Sequence, residues 1–209
     1  MGLAEARERL RRARLYLVVD AAAEHMLPAA LRGGVDMVQL RDKDLDDDSL
    51  LEVAARFRAA CREHNVLFWL NDRPDLALGA GADGVHIGQD DMPPGEVREE
   101  VGEQLLIGLS THSPEQFDAA LASEADQLSV GPVWETPTKP GRPAAGLDYV
   151  RHAAAHAGER PWFAIGGIDE TNVGEVVAAG ARRVVVVRAI RDAGDPETAA
   201  RRLRAALPD

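Results

Sequence analysis

The sequence has 209 residues with 24 basic and 35 acidic side chains, which gives a formal net charge of −11. General electrostatic attraction to nucleic acid or to an anionic membrane is therefore not expected, and no apolar stretch approaches the roughly 20 residues of a membrane-spanning helix. The single cysteine, Cys61, cannot form an internal disulfide, and no basic and apolar leader precedes the first strand-like run. We expect one cytoplasmic domain over residues 1–209.

Short apolar runs alternate along the chain with segments rich in Ala, Arg, Glu and Leu, such as residues 50–64 and 172–180. This alternation predicts an α/β protein with parallel strands joined by crossover helices. The predicted strands are residues 14–20, 36–42, 66–72, 84–88, 105–110, 127–133, 162–168 and 183–190. Eight such repeats of roughly 25 residues each favour a (β/α)₈ TIM barrel. An open doubly wound sheet is the alternative, because the number of strands alone does not close a barrel.

Polar residues follow most of the predicted strands. In chain order they are Gln39, Arg41, Lys43, Asn71, Asp72, Asp90, Asp91, Ser110, the segment 136–139, and the pair Gly166 and Gly167. In a closed barrel all of them gather on the C-terminal rim, where barrel enzymes build their active sites from the βα loops. The rim is therefore the predicted binding site.

The stretch VQLRDK ends the second predicted strand with alternating polar side chains. Gln39, Arg41 and Lys43 share one side of an extended segment, whereas Leu40 and Asp42 point elsewhere. An Arg and a Lys this close together can hold several phosphate oxygens, Arg through its planar fork and Lys as a compact charge. An ordinary solvated Arg/Lys pair is the alternative.

Two acidic sites stand at strand ends, Asp72 after the third strand and the pair Asp90 and Asp91 after the fourth. Magnesium commonly takes one or two carboxylates while substrate phosphates and water complete its shell. The alternatives are a helix cap for Asp72, just before Pro74, and a merely charged loop for the pair. Their shared rim position favours a metal site.

Two later segments suit phosphate binding. The loop of residues 135–146 offers Thr136, Thr138 and Lys139 and is long enough for a mobile lid, although a solvated loop is the alternative. Gly166 and Gly167 allow backbone N–H groups to approach an anion after the seventh strand. The alternative there is a tight turn into a helix, with Asp169 or Thr171 as its cap.

The remaining reactive residue types do not form a recognisable site. The six histidines have no metal-ligand spacing, and no Ser, His and Asp set stands at a nucleophile turn. His86 lies within a predicted buried strand and is interpreted as a hydrogen-bonded structural residue. Cys61 is interpreted as a residue of helix packing.

Six stretches together resemble one known family, thiamine phosphate synthase, in order and approximate spacing. They are VQLRDK, LNDRPDLAL, GADGVHIGQDD, GLSTH, VGPVWETPTK and AIGGI, and the resemblance covers about residues 15–203. It implies a (β/α)₈ barrel that couples hydroxymethylpyrimidine diphosphate to hydroxyethylthiazole phosphate, giving thiamine phosphate and pyrophosphate. It also implies small-molecule substrates and Mg²⁺, with neither nucleic acid nor membrane as a partner, and a homo-oligomer is compatible with it.

The resemblance assigns roles to individual residues. The implied contacts to the pyrimidine diphosphate are Gln39, Leu40, Arg41, Asp42, Lys43, Asn71, Ser110 and Lys139, of which Arg41, Lys43, Ser110 and Lys139 are catalytic. The implied Mg²⁺ ligands are Asp72 and Asp91. The implied thiazole phosphate site comprises Thr136, Pro137, Thr138, Gly167, Val187 and Arg188.

The mechanism that the resemblance implies is a Mg²⁺-assisted dissociative displacement without a protein nucleophile. The nearest rival is the related thiazole tautomerase, whose base is a His where this chain has Pro132 and which lacks the Asn71 and Asp72 pair. A rival of another class is a non-catalytic phosphate-binding barrel. The retained diphosphate and metal residues favour the synthase over both.

Arg188 is the clearest departure, because the family commonly has Ser at this position. Its guanidinium can turn toward the phosphate, or fold outward while the backbone N–H alone serves the ligand. A third interpretation is a site altered for a more acidic, carboxylated thiazole. The first is favoured because the predicted rim position faces an anion.

Overall fold

The computed structural model describes residues 2–136, 141 and 143–208. Within these residues eight strands lie side by side, each parallel to the next, and the last pairs back onto the first. They are Leu15–Val19 (β1), Met37–Leu40 (β2), Leu67–Asn71 (β3), Gly84–Ile87 (β4), Leu106–Thr111 (β5), Gln127–Val130 (β6), Trp162–Ile165 (β7) and Val184–Val186 (β8). The predicted barrel is therefore confirmed, and the open doubly wound sheet is wrong.

Helices connect the strands and surround the barrel. The α-helices are Leu3–Arg12 (α1), Leu27–Arg32 (α2), Asp47–Glu63 (α3), Pro74–Ala77 (α4), Pro94–Val101 (α5), Pro114–Leu121 (α6), Gly146–His156 (α7), Val173–Ala178 (α8), Arg188–Arg191 (α9) and Pro196–Ala205 (α10). Two 3₁₀ helices cover Ala21–Met26 and Gly102–Gln104. In the described part of the chain, every helix is too short or too polar to cross a lipid bilayer.

Side-chain caps mark where several helices begin. The Asp46 carboxylate accepts a hydrogen bond from the backbone N–H of Ser49 at 2.8 Å and starts α3. Ser113 and Asp195 cap α6 and α10 in the same way. Each such cap typically contributes about 1 kcal/mol. Cys61 is buried on the inner face of α3, which confirms its interpretation as a packing residue.

The alternation of side chains along the strands creates two apolar cores. One lies between the barrel and its helices, and the other fills the barrel itself. Inside the barrel, the Tyr16 ring lies 6.2 Å from that of Trp69 and 5.6 Å from that of Phe163, centroid to centroid. Ala6 and Leu10 of α1 belong to the same cluster. Helix α1 therefore covers the N-terminal end of the barrel, and the C-terminal end holds the polar residues.

The last strand is shorter than predicted. The sequence predicts a strand as far as Ile190, but β8 ends at Val186 and a helical turn covers Arg188–Arg191. Val187 leaves the extended conformation with φ −124° and ψ −85°. The continuous run of valines hides this turn, because β-branched residues favour a strand whether or not the chain continues straight.

Candidate active site

Two adjoining cavities open among the carboxyl ends of the strands. The first, called the charged cavity here, has a volume of about 310 Å³. Its lining includes Gln39, Arg41, Lys43, Asn71, Asp72, His86, Asp90, Asp91 and Ser110. The second, called the glycine cavity, has a volume of about 350 Å³. Its lining includes Thr136, Gly166, Gly167, Val187, Arg188 and Asp192.

The two cavities share a wall. Six residues line both of them, namely Ser110, His112, Ser129, Ile165, Val185 and Val187. A ligand in one cavity would therefore lie directly against a ligand in the other.

Strand β2 delivers the basic side of the charged cavity. Gln39 is 3% exposed, and its amide nitrogen donates to the Tyr16 hydroxyl at 2.5 Å. Burial raises the pKa of Tyr16 above its ordinary value, so the phenol stays protonated. Two and four residues further on, Arg41 and Lys43 line the cavity, and the Lys43 ammonium lies 2.9 Å from the Asp72 carboxylate. The alternation predicted for this segment brings these side chains together.

The two intervening residues of this segment are placed differently. The Leu40 side chain is fully buried in the core between barrel and helices. The Asp42 carboxylate accepts hydrogen bonds from the backbone N–H groups of Ala21 at 3.2 Å and Asp44 at 3.1 Å. Because neither residue lines either cavity, a side-chain contact from Leu40 or Asp42 to a ligand in these cavities is not supported. Successive side chains of an extended segment point to opposite faces, so the side chains of Leu40 and Asp42 point away from the cavity.

The acidic side of the charged cavity comes from the ends of β3 and β4. Asp72 has a positive φ of 60°, a strained conformation for a residue with a side chain, and its backbone N–H donates to the His86 carbonyl at 2.8 Å. The Asp91 carboxylate accepts from the Gly88 N–H at 2.7 Å. Helix α4 begins after Arg73 without a side-chain cap, so the alternative of Asp72 as a helix cap is wrong.

These carboxylates do not form a complete protein cage for a metal. Among the residues that the structure describes, no group of three or more His, Cys, Asp and Glu side chains is arranged to hold an ion. The lining of the charged cavity instead combines Asp72, Asp90 and Asp91 with Arg41 and Lys43. This donor set suits an ion whose shell is completed by water and by an anionic ligand.

Buried polar side chains form the floor of the charged cavity. A His86 ring nitrogen, Nε2, lies 2.9 Å from the Ser110 hydroxyl, and the other, Nδ1, lies 3.0 Å from the Gln127 amide nitrogen. Ser110 is 7% exposed. The interpretation of His86 as a hydrogen-bonded residue is confirmed.

Backbone geometry shapes the glycine cavity. Gly166 and Gly167 have positive φ values of 108° and 68°, and a Cβ atom on Gly166 would lie 2.5 Å from the Cα atom of Pro132. Only glycine fits such a close approach. The amide of Asn172 donates to the Gly167 carbonyl at 2.8 Å and fixes the turn.

The helix after this turn begins differently from the expected alternative. Helix α8 starts after Asn172 without a side-chain cap. The carboxylate of Asp169 instead accepts from the backbone N–H of Thr171 at 2.8 Å and from its hydroxyl at 2.6 Å. Neither Asp169 nor Thr171 is therefore the helix cap.

Arg188 stands at the outer edge of the glycine cavity. Its side chain is exposed and lines the cavity together with Val187 and Asp192. The pKa of Asp192 is lowered, first by its hydrogen bond with Arg191 and also by the charge of Arg188. The Asp192 carboxylate, one helical turn after Arg188, therefore attracts the Arg188 guanidinium as an anion in the cavity would.

Three predicted site residues, Pro137, Thr138 and Lys139, lie outside the described residues. Residues 137–140 and 142 of the loop predicted as a lid lie there too. Thr136 is described and lines the glycine cavity.

Four polar residues are among the cavity residues that the sequence reasoning missed. Gln89 donates to the Ser110 carbonyl at 2.7 Å, and His112 shares a hydrogen bond of 2.7 Å with the Gly131 carbonyl. Ser129 and Asp192 line the walls. Ser129 could have been inferred from the sequence because it alternates with the polar Gln127 along β6. Gln89 and His112 could have been inferred because they closely follow β4 and β5. Asp192 carries no comparable signal, since it follows a strand whose end was misplaced.

Comparison with known proteins gives consistent matches. A family model described as thiamine monophosphate synthase matches residues 15–190. The thiamine-phosphate synthase of Thermus thermophilus is 57% identical over 201 residues, covering 93% of this chain and 97% of the relative. That of Mycolicibacterium smegmatis is 50% identical over 214 residues, covering 96% of this chain and 94% of the relative.

Solved structures agree with these matches. Thiamine phosphate pyrophosphorylase from Pyrococcus furiosus superposes with a TM-score of 0.87 at 32% identity, over 94% of this chain and 96% of that one. A 3-hexulose-6-phosphate synthase, at a TM-score of 0.68 and 21% identity, shares the fold. With its closed barrel, its two adjoining rim cavities and these similarities, the chain belongs to the thiamine monophosphate synthase family.

Proposed function

We propose that this chain couples hydroxymethylpyrimidine diphosphate with hydroxyethylthiazole phosphate, giving thiamine phosphate and pyrophosphate. It is a transferase of a pyrimidinylmethyl group that acts on small-molecule substrates. The observation that carries the proposal is the shared wall between the two cavities, because a coupling reaction needs two ligands in direct contact. The charged cavity takes the diphosphate substrate, and the glycine cavity takes the thiazole phosphate.

The charged cavity suits a diphosphate because of its cations. Arg41 and Lys43 supply charge-assisted hydrogen bonds to phosphate oxygens. Asn71 and Ser110 add neutral polar groups, and Gln39 lies deeper on the same side of the barrel. We assign Lys139 to the same diphosphate from the sequence. These groups neutralise charge that develops on the leaving diphosphate.

Asp72 and Asp91 would hold Mg²⁺ in the charged cavity. The fit rests on two hard carboxylate ligands in a cavity that also binds phosphate, with no larger set of protein ligands among the described residues. When bound, the ion neutralises the diphosphate and makes it a better leaving group. The Lys43 ammonium, 2.9 Å from the Asp72 carboxylate, would add a second positive charge close to the ion.

The thiazole phosphate occupies the glycine cavity. Gly167 offers its backbone at a position that a side chain would crowd, since a Cβ there would lie 3.0 Å from the Cβ of Trp134. Thr136, Val187 and Arg188 line the same cavity. Pro137 and Thr138 are assigned to this ligand from the sequence alone.

The chemistry requires no protein nucleophile. The C–O bond to the diphosphate breaks first, and its electron pair leaves with the diphosphate. The lone pair of the thiazole nitrogen then forms the new C–N bond, which leaves a thiazolium product. Ile165 and Val187, in the wall common to both cavities, limit the access of water to the cationic carbon.

The proposal also covers the whole chain. We propose that residues 1–209 act as one domain and that it is cytoplasmic. The pairing of β1 with β8 supports the single domain, because it joins the first and the last strand in one sheet. A tautomerase is not supported, because Pro132 stands where that enzyme has its base.

The test is to incubate the purified protein with both substrates and Mg²⁺ and to measure thiamine phosphate by mass spectrometry. We expect product that requires both substrates and disappears when EDTA is added. Binding of both substrates without any product would contradict the proposed function and favour a non-catalytic barrel.

A further inference from the structure

Three polar side chains on neighbouring strands form a chain of hydrogen bonds beneath the charged cavity. The Gln127 amide nitrogen on β6 lies 3.0 Å from Nδ1 of His86 on β4. Nε2 of the same imidazole lies 2.9 Å from the Ser110 hydroxyl on β5. The inner member, Gln127, is fully buried, whereas Ser110 lines both cavities. The chain therefore runs from the barrel interior to the ligand sites.

A glycine in the intervening strand makes this contact possible. Gly108 pairs with His86 on one side and with Gln127 on the other in the strand register. A Cβ atom there would lie 2.2 Å from the Gln127 nitrogen and 2.5 Å from His86 Nδ1. Side chains on β4 and β6 can therefore meet across β5 because Gly108 leaves the space between them free.

The direction of the hydrogen bonds follows from the atoms that face each other. The Gln127 amide is oriented with its nitrogen toward the ring, while its oxygen is buried without a hydrogen-bond partner. An amide nitrogen only donates, so in this orientation His86 Nδ1 accepts and carries no proton. The neutral ring then carries its proton on Nε2, which donates to the Ser110 oxygen. With that acceptor position occupied, the Ser110 hydroxyl hydrogen is free to point to another acceptor in the cavity.

We propose that Gln127 and His86 are positioning residues that make Ser110 a hydrogen-bond donor to the substrate. The inference rests on the proposed function in placing the pyrimidine diphosphate in the charged cavity. The substrate atom opposite Ser110 is then an acceptor, either a phosphate oxygen or a ring nitrogen. A ligand with a donor at that point is rejected, because two donors would face each other in a buried site.

The first test replaces Gln127 with an apolar side chain of similar size. In Gln127→Met, His86 loses its fixed tautomer and Ser110 can donate to the ring instead of to the substrate. We expect kcat/KM for the pyrimidine diphosphate to fall about tenfold, the equivalent of one hydrogen bond. The KM for thiazole phosphate should hardly change.

Tyr149→Phe is the matched control. The Tyr149 hydroxyl donates to Thr111 Oγ1 at 2.6 Å and is buried on the helix side of the barrel. Its loss should lower thermal stability without changing kcat/KM for the pyrimidine diphosphate. If Gln127→Met lowered only the stability, as this control does, the positioning role would be wrong.

A double-mutant cycle separates positioning from general damage. If Gln127 acts through Ser110, then Gln127→Met should have almost no further effect on kcat/KM in a Ser110→Ala background. Additive losses from the two substitutions would overturn the inference.

A measurement without turnover tests the tautomer directly. Nitrogen NMR of the wild-type protein labelled at histidine, with His86 assigned by the loss of its signals in His86→Asn, should show a neutral ring protonated at Nε2. A proton on Nδ1, or on both nitrogens, would overturn the inference. If the wild type made no thiamine phosphate, the proposed function would fail while this spectrum still decided the hydrogen-bond direction.

Discussion

The two ends of the barrel interior are built from the same strands but serve different purposes. At the N-terminal end the inward residues are apolar, such as Met37 on β2 and Leu106 on β5. Further along the same strands stand Gln39 and Ser110, both polar and buried. Along one strand, only two to four positions thus separate a residue that packs in the core from a residue of the proposed active site. The N-terminal end of the barrel interior can therefore be altered for stability and the C-terminal rim for activity, with little overlap.

The largest expected effect comes from a substitution in the apolar core inside the barrel. Phe163 is fully buried and its ring meets that of Tyr16 at 5.6 Å. Phe163→Ala should lower the free energy of unfolding by about 3–5 kcal/mol, measured by urea denaturation. Phe163→Leu should cost less, because it leaves a smaller cavity. The folded fraction of each variant should have unchanged KM values for both substrates. A large rise in KM would show that the apolar core inside the barrel and the rim are coupled.

The next largest effect comes from the acidic side of the rim. Asp91→Ala should reduce Mg²⁺-dependent turnover by at least about 100-fold, since a bound metal supplies several kcal/mol of transition-state stabilisation. The melting temperature should stay nearly constant. Asp48→Ala, which removes an exposed carboxylate of α3, is the matched control. Near-normal rates of Asp91→Ala at limiting Mg²⁺ would contradict the metal assignment.

A smaller loss is expected from the loop that follows β6. Hydrogen bonds to charged groups are worth about 1.5–3 kcal/mol, so Lys139→Ala should slow turnover by at least about tenfold. Lys139→Arg keeps the charge and should recover part of the rate. A variant with normal turnover and a much lower melting temperature would instead mark Lys139 as structural.

The smallest effect concerns the exposed edge of the glycine cavity. Arg188→Ser should raise the KM for thiazole phosphate about fivefold at low salt, as expected for an exposed ion pair of about 1 kcal/mol. The KM for the pyrimidine diphosphate should not change. Arg182→Ser removes an exposed charge from the other end of β8 and serves as the control. Equal affinity of the wild type and Arg188→Ser for thiazole phosphate would show that Arg188 points away from the phosphate.

Much of the architecture could be predicted from local pattern. Each strand shows as a short β-branched or apolar run, and polar residues such as Asn71 and Ser110 stand near the carboxyl ends of most strands. Because all strands of a closed parallel barrel point the same way, those marks converge on one rim. The convergence of Arg41, Lys43 and Asp72 in one cavity follows from this rule alone.

Other features depend on contacts between distant residues. The tight turn at Gly166 depends on the approach of Pro132 from the segment after β6. The hydrogen bond between His86 and Gln127 depends on the empty space at Gly108. Neither pairing leaves a periodic trace in the chain, so neither could be predicted from the sequence. The end of β8 at Val186 was hidden for a local reason, since the valine run continues past it.

The pairing of Leu15 with Val184 joins the beginning and the end of the described chain. During synthesis on the ribosome, β1 therefore leaves the exit tunnel long before its second neighbour exists. Until β8 emerges, the growing sheet has an unpaired edge, which is a template for association with other chains. Release of a nascent chain before β8 would yield a molecule with two open edges that also lacks Val187 and Arg188 of the glycine cavity. Aggregation during translation is therefore an expected consequence of premature termination, in addition to the loss of that cavity wall.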